Sequence, residues 1–408
     1  MNWLKRTGGE RMKEPKIRFK GFSGEWKDLP FSEIVERTSS TGKTGSLPGI
    51  EFEDIVSGEG CLNKDVYQKD CRKYGKIFRE GDILFGKLRP YLKNILLAEF
   101  KGIAIGDFWI LRPGDNDSKF IYNLVNSEAF MRVANVSSGS KMPRADWNLV
   151  SSTNFLLPQD KIEQEAIGKY FTSLDTQISA STSRLASLKQ MKAACLQAMF
   201  PQEGETVPKI RFKGFEGEWK KVKLNTFAKR IMRKNSNLES SLALTIASAH
   251  GLVSQAEYFN NLVVGSNIQN YYLLKKGEFA YNKSYSNGYP FGSVKRLDRY
   301  EQGILSTLYI VFSIDNSVLS DYITHFFDTT LWHKEIAERA EEGARNHGLL
   351  NIATRDFFDI YIWMPDSVKE QQSIASFFTS LDRQIALHTQ RLEKLKQIKA
   401  ACLDKMFV

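Results

Sequence analysis

The 408-residue sequence is short of proline, with 11 in all. None falls between Pro158 and Pro201, or after Pro365, so two long stretches lack the residue that most reliably breaks a helix. Cysteine is scarcer still: Cys61, Cys71, Cys195 and Cys402. No pair has the C-x-x-C spacing of a zinc site, and so few thiols in so long a chain suit a reducing cytoplasm rather than a disulfide framework. The histidines, His250, His325, His333, His347 and His388, show no metal-ligand spacing, and no metal site is expected. No apolar run approaches the roughly 18 residues of a membrane span. The segment MNWLKRTGGERMKEPK has no apolar core of a secretory signal. A cytoplasmic protein is therefore expected, with Met12 as the expected start, because the repeated pattern described below begins at Pro15.

Catalytic motifs are missing too. Gly42-Lys43-Thr44 ends like a phosphate loop, but that loop needs a glycine where Arg37 stands. Asp115, Asp117 and Lys119 crowd into RPGDNDSK, which reads as a solvated turn. Asn287-Gly288-Tyr289-Pro290-Phe291 lacks the paired prolines of the Asn/Asp-Pro-Pro-aromatic motif of amino-methylating enzymes. No enzyme signature remains.

What the chain does have is positive charge and repetition. The net charge is +10, with a pI near 9.2, which favours a polyanionic partner. Its 42% hydrophobic and 25% charged residues are those of a globular protein long enough for two or three domains. Leu157–Phe200 recurs as Met364–Phe407 at a constant offset of 207, with 24 of 44 positions identical. PKIRFKGFSGEWK at Pro15–Lys27 recurs as PKIRFKGFEGEWK at Pro208–Lys220. Each half thus reads as an opening motif, a variable region (Asp28–Leu156, Lys221–Trp363) and a long helix. The domain plan is an extension (1–14), two variable domains with their motifs (15–156, 208–363), two helical spacers (157–200, 364–408) and a linker (201–207).

The helices carry a heptad seam: Ile167, Phe171, Leu174, Ile178, Ser181, Leu185 and Leu188, then Ile374, Phe378, Leu381, Ile385, His388, Leu392 and Leu395. Such a seam needs a partner, and the other copy is the natural one. Helices of about 35–40 residues reach about 55–60 Å at 1.5 Å per residue. A two-fold relation between the halves makes the pair antiparallel and returns Phe407 towards Pro15, as Phe200 lies near Pro208. The expected architecture is mixed α/β, with two globular domains on an antiparallel two-helix coiled coil, pseudo-two-fold and nearly cyclic. Within the variable regions, Gly81–Leu88, Gly277–Ser284, Ile103–Leu111 and Ile304–Phe312 predict strands. Ser118–Val133 and Ser320–Glu341 predict helices.

Candidate binding residues cluster at strand exits: Lys87, Arg89, Tyr91 and Lys93 in the first half; Tyr281, Lys283, Tyr285, Tyr289, Lys295 and Arg296 in the second. Cations interleaved with aromatics suit phosphate and base contacts. Glycine-rich basic loops shortly before each long helix add Ser140, Lys141 and Arg144, then Arg345, Asn346 and His347. The plainer reading, solvated loop charges, is weakened by their recurrence at equivalent places. The aromatics of the opening motif, Phe19, Phe22, Trp26, Phe212, Phe215 and Trp219, read instead as packing against the helix ends, because the motif hardly varies between halves. Gln164, Lys189, Lys192, Gln371, Lys396 and Lys399 are expected on exposed helix faces as partner surface.

The order of these elements, with GDILFGKLRP at Gly81, GSKMPRADW at Gly139, and FTSLDTQI and FTSLDRQI at Phe171 and Phe378, resembles the specificity subunit of type I restriction-modification systems. The resemblance implies two target recognition domains, each reading one half of a split DNA sequence. It implies a non-catalytic chain whose helices dock two methyltransferase subunits and up to two restriction-translocase subunits. S-adenosylmethionine, ATP and magnesium would sit on those partners, which methylate adenine N6. The second half departs from the family string, having GEFAYNKSYS where the first has GDILFGKLRP. A coiled-coil adaptor that binds DNA without sequence preference is the alternative.

Overall fold

The structure, a computed structural model, describes residues 14–407 except 46, 70–72, 137–141, 248–250, 260–266, 285–287, 341–349 and 351. The chain divides into two compact units, residues 1–183 with 389–408, and residues 184–388.

The first unit contains β1 (Lys27–Pro30), β2 (Glu36–Thr38), β3 (Thr41–Lys43), β4 (Gly49–Ile50), β5 (Tyr74–Phe78), β6 (Ile83–Gly86), β7 (Ile95–Leu97), β8 (Gly102–Ala104), β9 (Phe108–Arg112) and β10 (Asn154–Leu157). Its short helices are α1 (Phe31–Ile34), α2 (Ser118–Asn126), α3 (Glu128–Ala134) and α4 (Trp147–Ser152). One four-stranded sheet has the order β2-β9-β6-β7, another β3-β5-β8-β4, and β1 pairs with β10. Side-chain alternation along β6 decides the packing. Ile83 and Phe85 join Trp109, Phe120 and Phe130 in the core beneath the helices. Leu84 faces Phe78, Phe108 and Ile110 between the two sheets.

Two predicted elements of this unit divide. Gly106, at φ 101°, turns the chain between β8 and β9, where one strand was expected. Ser127 ends α2 and starts α3, its hydroxyl accepting the Phe130 N–H at 3.3 Å, as an N-cap does.

The second unit repeats the plan. Its strands are β11 (Lys220–Lys223), β12 (Ala228–Arg230), β13 (Leu244–Ala247), β14 (Gly251–Ser254), β15 (Tyr272–Lys275), β16 (Phe279–Asn282), β17 (Ser293–Arg296), β18 (Gln302–Leu305), β19 (Ile310–Ile314) and β20 (Tyr361–Met364). The order β12-β19-β16-β17 matches that of the first unit, and β11 pairs with β20 as β1 does with β10. The expected strand Ile304–Phe312 again divides in two, into β18 and β19.

Each unit holds the beginning of one long helix and the end of the other: α5 (Lys161–Ala198) and α6 (Val368–Met406). In the first unit Ile167, Phe171 and Leu174 pack with Leu395, Leu403, Met406 and Phe407. In the second, Ile374, Ala375 and Phe378 pack with Cys195, Leu196, Met199 and Phe200. Start meets end, so the pairing is antiparallel, and the predicted seam faces inward. Gly168 is needed where it stands. A Cβ there would lie 2.5 Å from Asp117 Oδ1 and 2.8 Å from Lys119 Cβ, at the N-terminus of α2.

The opening motif clamps these ends. Arg18 donates from Nε and Nη2 to the two carboxylate oxygens of Glu163 at 2.7 and 2.8 Å, and from Nη1 to the Gly24 carbonyl at 2.6 Å. Arg211 repeats this on Glu370 at 2.7 and 2.8 Å, and on Gly217 at 2.6 Å. Both glutamates stand in the first turn of a long helix, where negative charge meets the positive end of the helix dipole. Trp26 and Trp219 are buried in the two cores. The Ile17 N–H donates to the Lys405 carbonyl at 3.2 Å, and Ile210 to Ala198 at 2.8 Å. These are equivalent bonds in the two repeats.

Candidate nucleic-acid interface

The exit of the central sheet strand and the end of the glycine-rich loop meet in both units. In the first, the Lys87 N–H donates to the Asp107 carbonyl and the Lys87 carbonyl accepts the Ala145 N–H, each at 2.9 Å. Leu88 bridges to Arg144, and the Arg89 N–H donates to the Pro143 carbonyl at 2.8 Å. In the second, the Lys283 carbonyl accepts the Leu350 N–H at 2.9 Å. In the first unit the two candidate stretches, 57 residues apart from Lys87 to Arg144, thus form one surface.

The side chains of the first unit converge on one carboxylate. Asp107 receives Arg144 Nε at 3.1 Å and lies 3.4 Å from Lys87 Nζ. Burial alone would push its carboxyl up, but Arg144 and Lys87 hold it below the usual carboxylate range. Lys76 donates to the Phe108 carbonyl at 2.5 Å. Burial and the repulsion of Lys87 and Arg37 push its ammonium below the ordinary lysine value, against the pull of Asp107. The Arg37 guanidinium lies 4.4 Å from the Trp147 ring centroid. Two cations contact one anion and two more lie close by, a surplus of positive charge suited to a phosphate. Arg89 and Tyr91 are exposed beside it. Arg89 and Lys93 hold left-handed backbone, at φ 50° and 51°, costing about 1–2 kcal/mol each. The tight turn between them, Pro90–Leu92, requires it, and Lys93 Nζ is tied to the Asn126 carbonyl at 3.3 Å.

Arg37, Lys76 and Asp107 were not anticipated from the sequence. They come from separate strands and loops, and only the sheet register brings them together.

Several expected residues sit elsewhere. Tyr281 is a core residue, fully buried, donating to the Phe291 carbonyl at 2.9 Å and stacked on Phe357 at 4.6 Å. It occupies the inward position that Phe85 holds in β6, so it cannot touch DNA. Lys295 is tied to Asp328 at 2.8 Å, and Arg296 to Asp298 and Asp321 at 2.6 and 2.7 Å, which withdraws both from a free basic surface. Lys283 and Tyr289 are half-buried. Ser140, Lys141, Tyr285, Arg345, Asn346 and His347 lie outside the described residues.

The helix-face expectation also needs correction. Gln164 and Gln371 are buried, not exposed. Gln164 accepts the Asp117 N–H and donates to Asn116 and the Pro158 carbonyl. Gln371 accepts the Leu319 N–H and donates to the Pro365 carbonyl. Each ties a long helix to its own globular part. Lys192 pairs with Asp382 at 2.7 Å, and Lys399 with Asp175 at 2.5 Å, the same ion pair in the two repeats. Both lysine side chains are mostly buried, so they join helix to helix rather than offering charge to a partner. Lys189 and Lys396 are exposed.

His325, Asp328 and Asp382 come close enough together to suggest metal ligands. Lys192 and Lys295 already neutralise the two carboxylates, and a divalent ion there would face two ammonium groups. Burial would push the Asp328 carboxyl up, but Lys295, His325 and Lys192 hold it far below the ordinary range. The cluster is a buried ion network. Among the described residues no helix is long and apolar enough to cross a membrane.

Residues 216–397 match the family described as the type I restriction modification DNA specificity domain. This segment, within the second half, is similar to a type I restriction modification DNA specificity domain. The first half shares the frame of the matched half: sheet order, opening-motif clamp and Lys–Asp helix pair. The type I restriction-modification S subunit from M. genitalium has the same fold, with a TM-score of 0.62 at 14% identity over 97% of this chain and 99% of that one. The HsdS subunit from Thermoanaerobacter tengcongensis gives a TM-score of 0.43 at 19% identity, covering 94% of this chain and 96% of that one. A chain from a study of complex assembly and conformational transition in the type I R-M system gives 0.49 at 17%, covering 93% and 97%. No curated protein matches the chain in sequence.

Proposed function

We propose that this chain gives a type I complex its DNA target, each unit reading one half of a split sequence. The observation that carries this reading is the repetition of one frame around two surfaces with different side chains. Two readers of the same build with different side chains suit one duplex carrying two unlike half-sites. The chain itself is non-catalytic in this reading. Its long helices dock two methyltransferase subunits and up to two restriction-translocase subunits. S-adenosylmethionine serves the methyltransferases, and ATP with magnesium the translocases. Of the helix residues expected as partner surface, Lys189 and Lys396 remain exposed for such docking. Lys87, Arg89, Tyr91 and Arg144 face DNA in the first unit, and Lys283 and Tyr289 in the second.

The test is to express the full chain with the adenine methyltransferase of its own system and map N6-methyladenine across a plasmid. A split recognition sequence whose methylation requires this chain is expected. Exchanging residues 28–156 for those of another specificity protein should change one half of the target only. Methylation that is undivided, or indifferent to this chain, refutes the reading.

A further inference from the structure

Because the two units share a frame, sheet register aligns their interfaces residue by residue. In the first unit Arg37 pairs with Leu111, and Leu111 with Ile83. In the second Arg230 pairs with Phe312, and Phe312 with Phe279. Ile83 and Phe279 each follow a Gly-acid step out of the preceding strand, Gly81-Asp82 and Gly277-Glu278. Arg37 and Arg230 are therefore equivalent, and so are Lys87 and Lys283, four residues beyond Ile83 and Phe279. The same register sets Trp109 against Ile310, which pair with Phe85 and Tyr281. Two residues earlier it sets Asp107 against Leu308. Lys76 falls opposite Tyr272, since Ile77 pairs with Ile103 and Leu273 with Ile304.

The comparison separates two kinds of position. One arginine and one lysine recur, Arg37 with Lys87 and Arg230 with Lys283. Both arginines are exposed. Around them the chemistry changes: Asp107 becomes Leu308, and Lys76 becomes Tyr272. Leu308 is 62% exposed, an apolar side chain that nothing in its own fold requires to face solvent. Asp107 is 35% exposed and directs Arg144, whose own side chain is 50% exposed. Contacts to the phosphate backbone carry no sequence information and can be the same in any reader. Contacts to base edges must differ between readers of different sequences.

We propose that Asp107, just before β9 in the first unit, and its register equivalent Leu308, two residues before β19 in the second, each determine a base read by their unit, while Arg37 with Lys87 and Arg230 with Lys283 hold phosphates. Asp107 is a positioning residue: it presents the Arg144 guanidinium, whose fork suits the acceptor edge of a guanine. Leu308 reads directly, by apolar contact of the kind a thymine methyl offers. The inference rests on the split-target reading above.

The test uses the full chain in its methyltransferase complex, with N6-methyladenine mapping as readout. Asp107→Leu, and the near-isosteric Asp107→Asn, should relax or change one base position in one half-site and leave the other half intact. Leu308→Asp should do the same in the other half-site. Lys87→Ala and Lys283→Ala should weaken binding evenly across sequences and lower the salt slope by about 1. Thermal melting accompanies each variant, and if Asp107→Leu unfolds, Asp107→Asn is judged alone by the same criteria. An unchanged target, a change in both halves, or loss of all methylation in a folded variant overturns the proposal. If the unaltered complex methylates no split site, the functional reading fails instead, before any variant is compared.

Discussion

Removing the Arg18 side chain should destabilise the first unit more than any single change on its surface. Glu163 is 1% exposed, and Arg18 supplies both hydrogen bonds to its carboxylate. In Arg18→Ala the carboxylate stays buried without its charge partner, and the Ser23 and Gly24 carbonyls lose donors. Breaking a buried pair from one side costs about 3–5 kcal/mol. Each kcal/mol shifts the midpoint of a unit this size by about 2–4 °C, so a fall on the order of 10 °C is expected by differential scanning calorimetry. The duplication supplies the control, since Arg211→Ala should impose the same cost on the second unit. Arg18→Ala with Glu163→Ala should recover part of the loss, because no buried charge is then stranded. A shift under about 2 °C, or a double variant no better than the single, would show that the clamp is worth no more than an exposed ion pair.

Gly168→Val should lower stability by about 1–3 kcal/mol despite valine's better helix propensity than glycine, because its side chain collides with Asp117 and Lys119. Urea titration of the full chain reads this, and an unchanged midpoint refutes the packing. The first unit should also lose stability in acid through Asp54. Burial would raise its pKa, but ion pairs with Lys64 and Lys69 at 2.7 and 2.9 Å hold it below the ordinary value. A depressed carboxyl contributes stability above its unfolded pKa, about 3.9, and loses it as pH falls through the lower folded value. Asp54→Asn should therefore flatten the loss of midpoint temperature below about pH 4, and an equally steep loss in the variant excludes this carboxyl as its source.

The long helices were plain in the sequence because a heptad seam over five turns or more has no competing explanation, and duplication marked it twice. The opening motif was read as structural because it hardly varies between the halves, yet its clamp was not seen. Arg18 and Glu163 are 145 residues apart, and nothing local ties an arginine to a distant helix turn. Gln164 and Gln371 were misplaced for a related reason. A polar residue on a helix reads as solvated unless its hydrogen-bond partners are known, and here they lie in loops far away in sequence. Tyr281 shows the limit of composition at a strand: aromatic and near lysines, it still falls on the inward side of a two-residue alternation. The basic cluster around Asp107 was half legible, since Lys87 and Arg144 stand in motifs while Arg37 and Lys76 are joined to them only by register. Ser127 looked like an ordinary helix residue, and its capping bond was what broke the predicted helix.

The bond from Ile17 to Lys405 has a consequence for how the protein is made. The first unit is assembled from the two ends of the chain, whereas the second, residues 184–388, is a single continuous segment. On the ribosome the order of completion is therefore the reverse of the order of synthesis. The N-terminal unit emerges first but lacks the residues that close its core, Leu395, Leu403, Met406 and Phe407, until the whole of the second unit has been made. The C-terminal unit emerges later and has everything it needs. Until then the nascent chain carries Phe120 and Phe171 without the Phe407 ring they pack against in the finished fold.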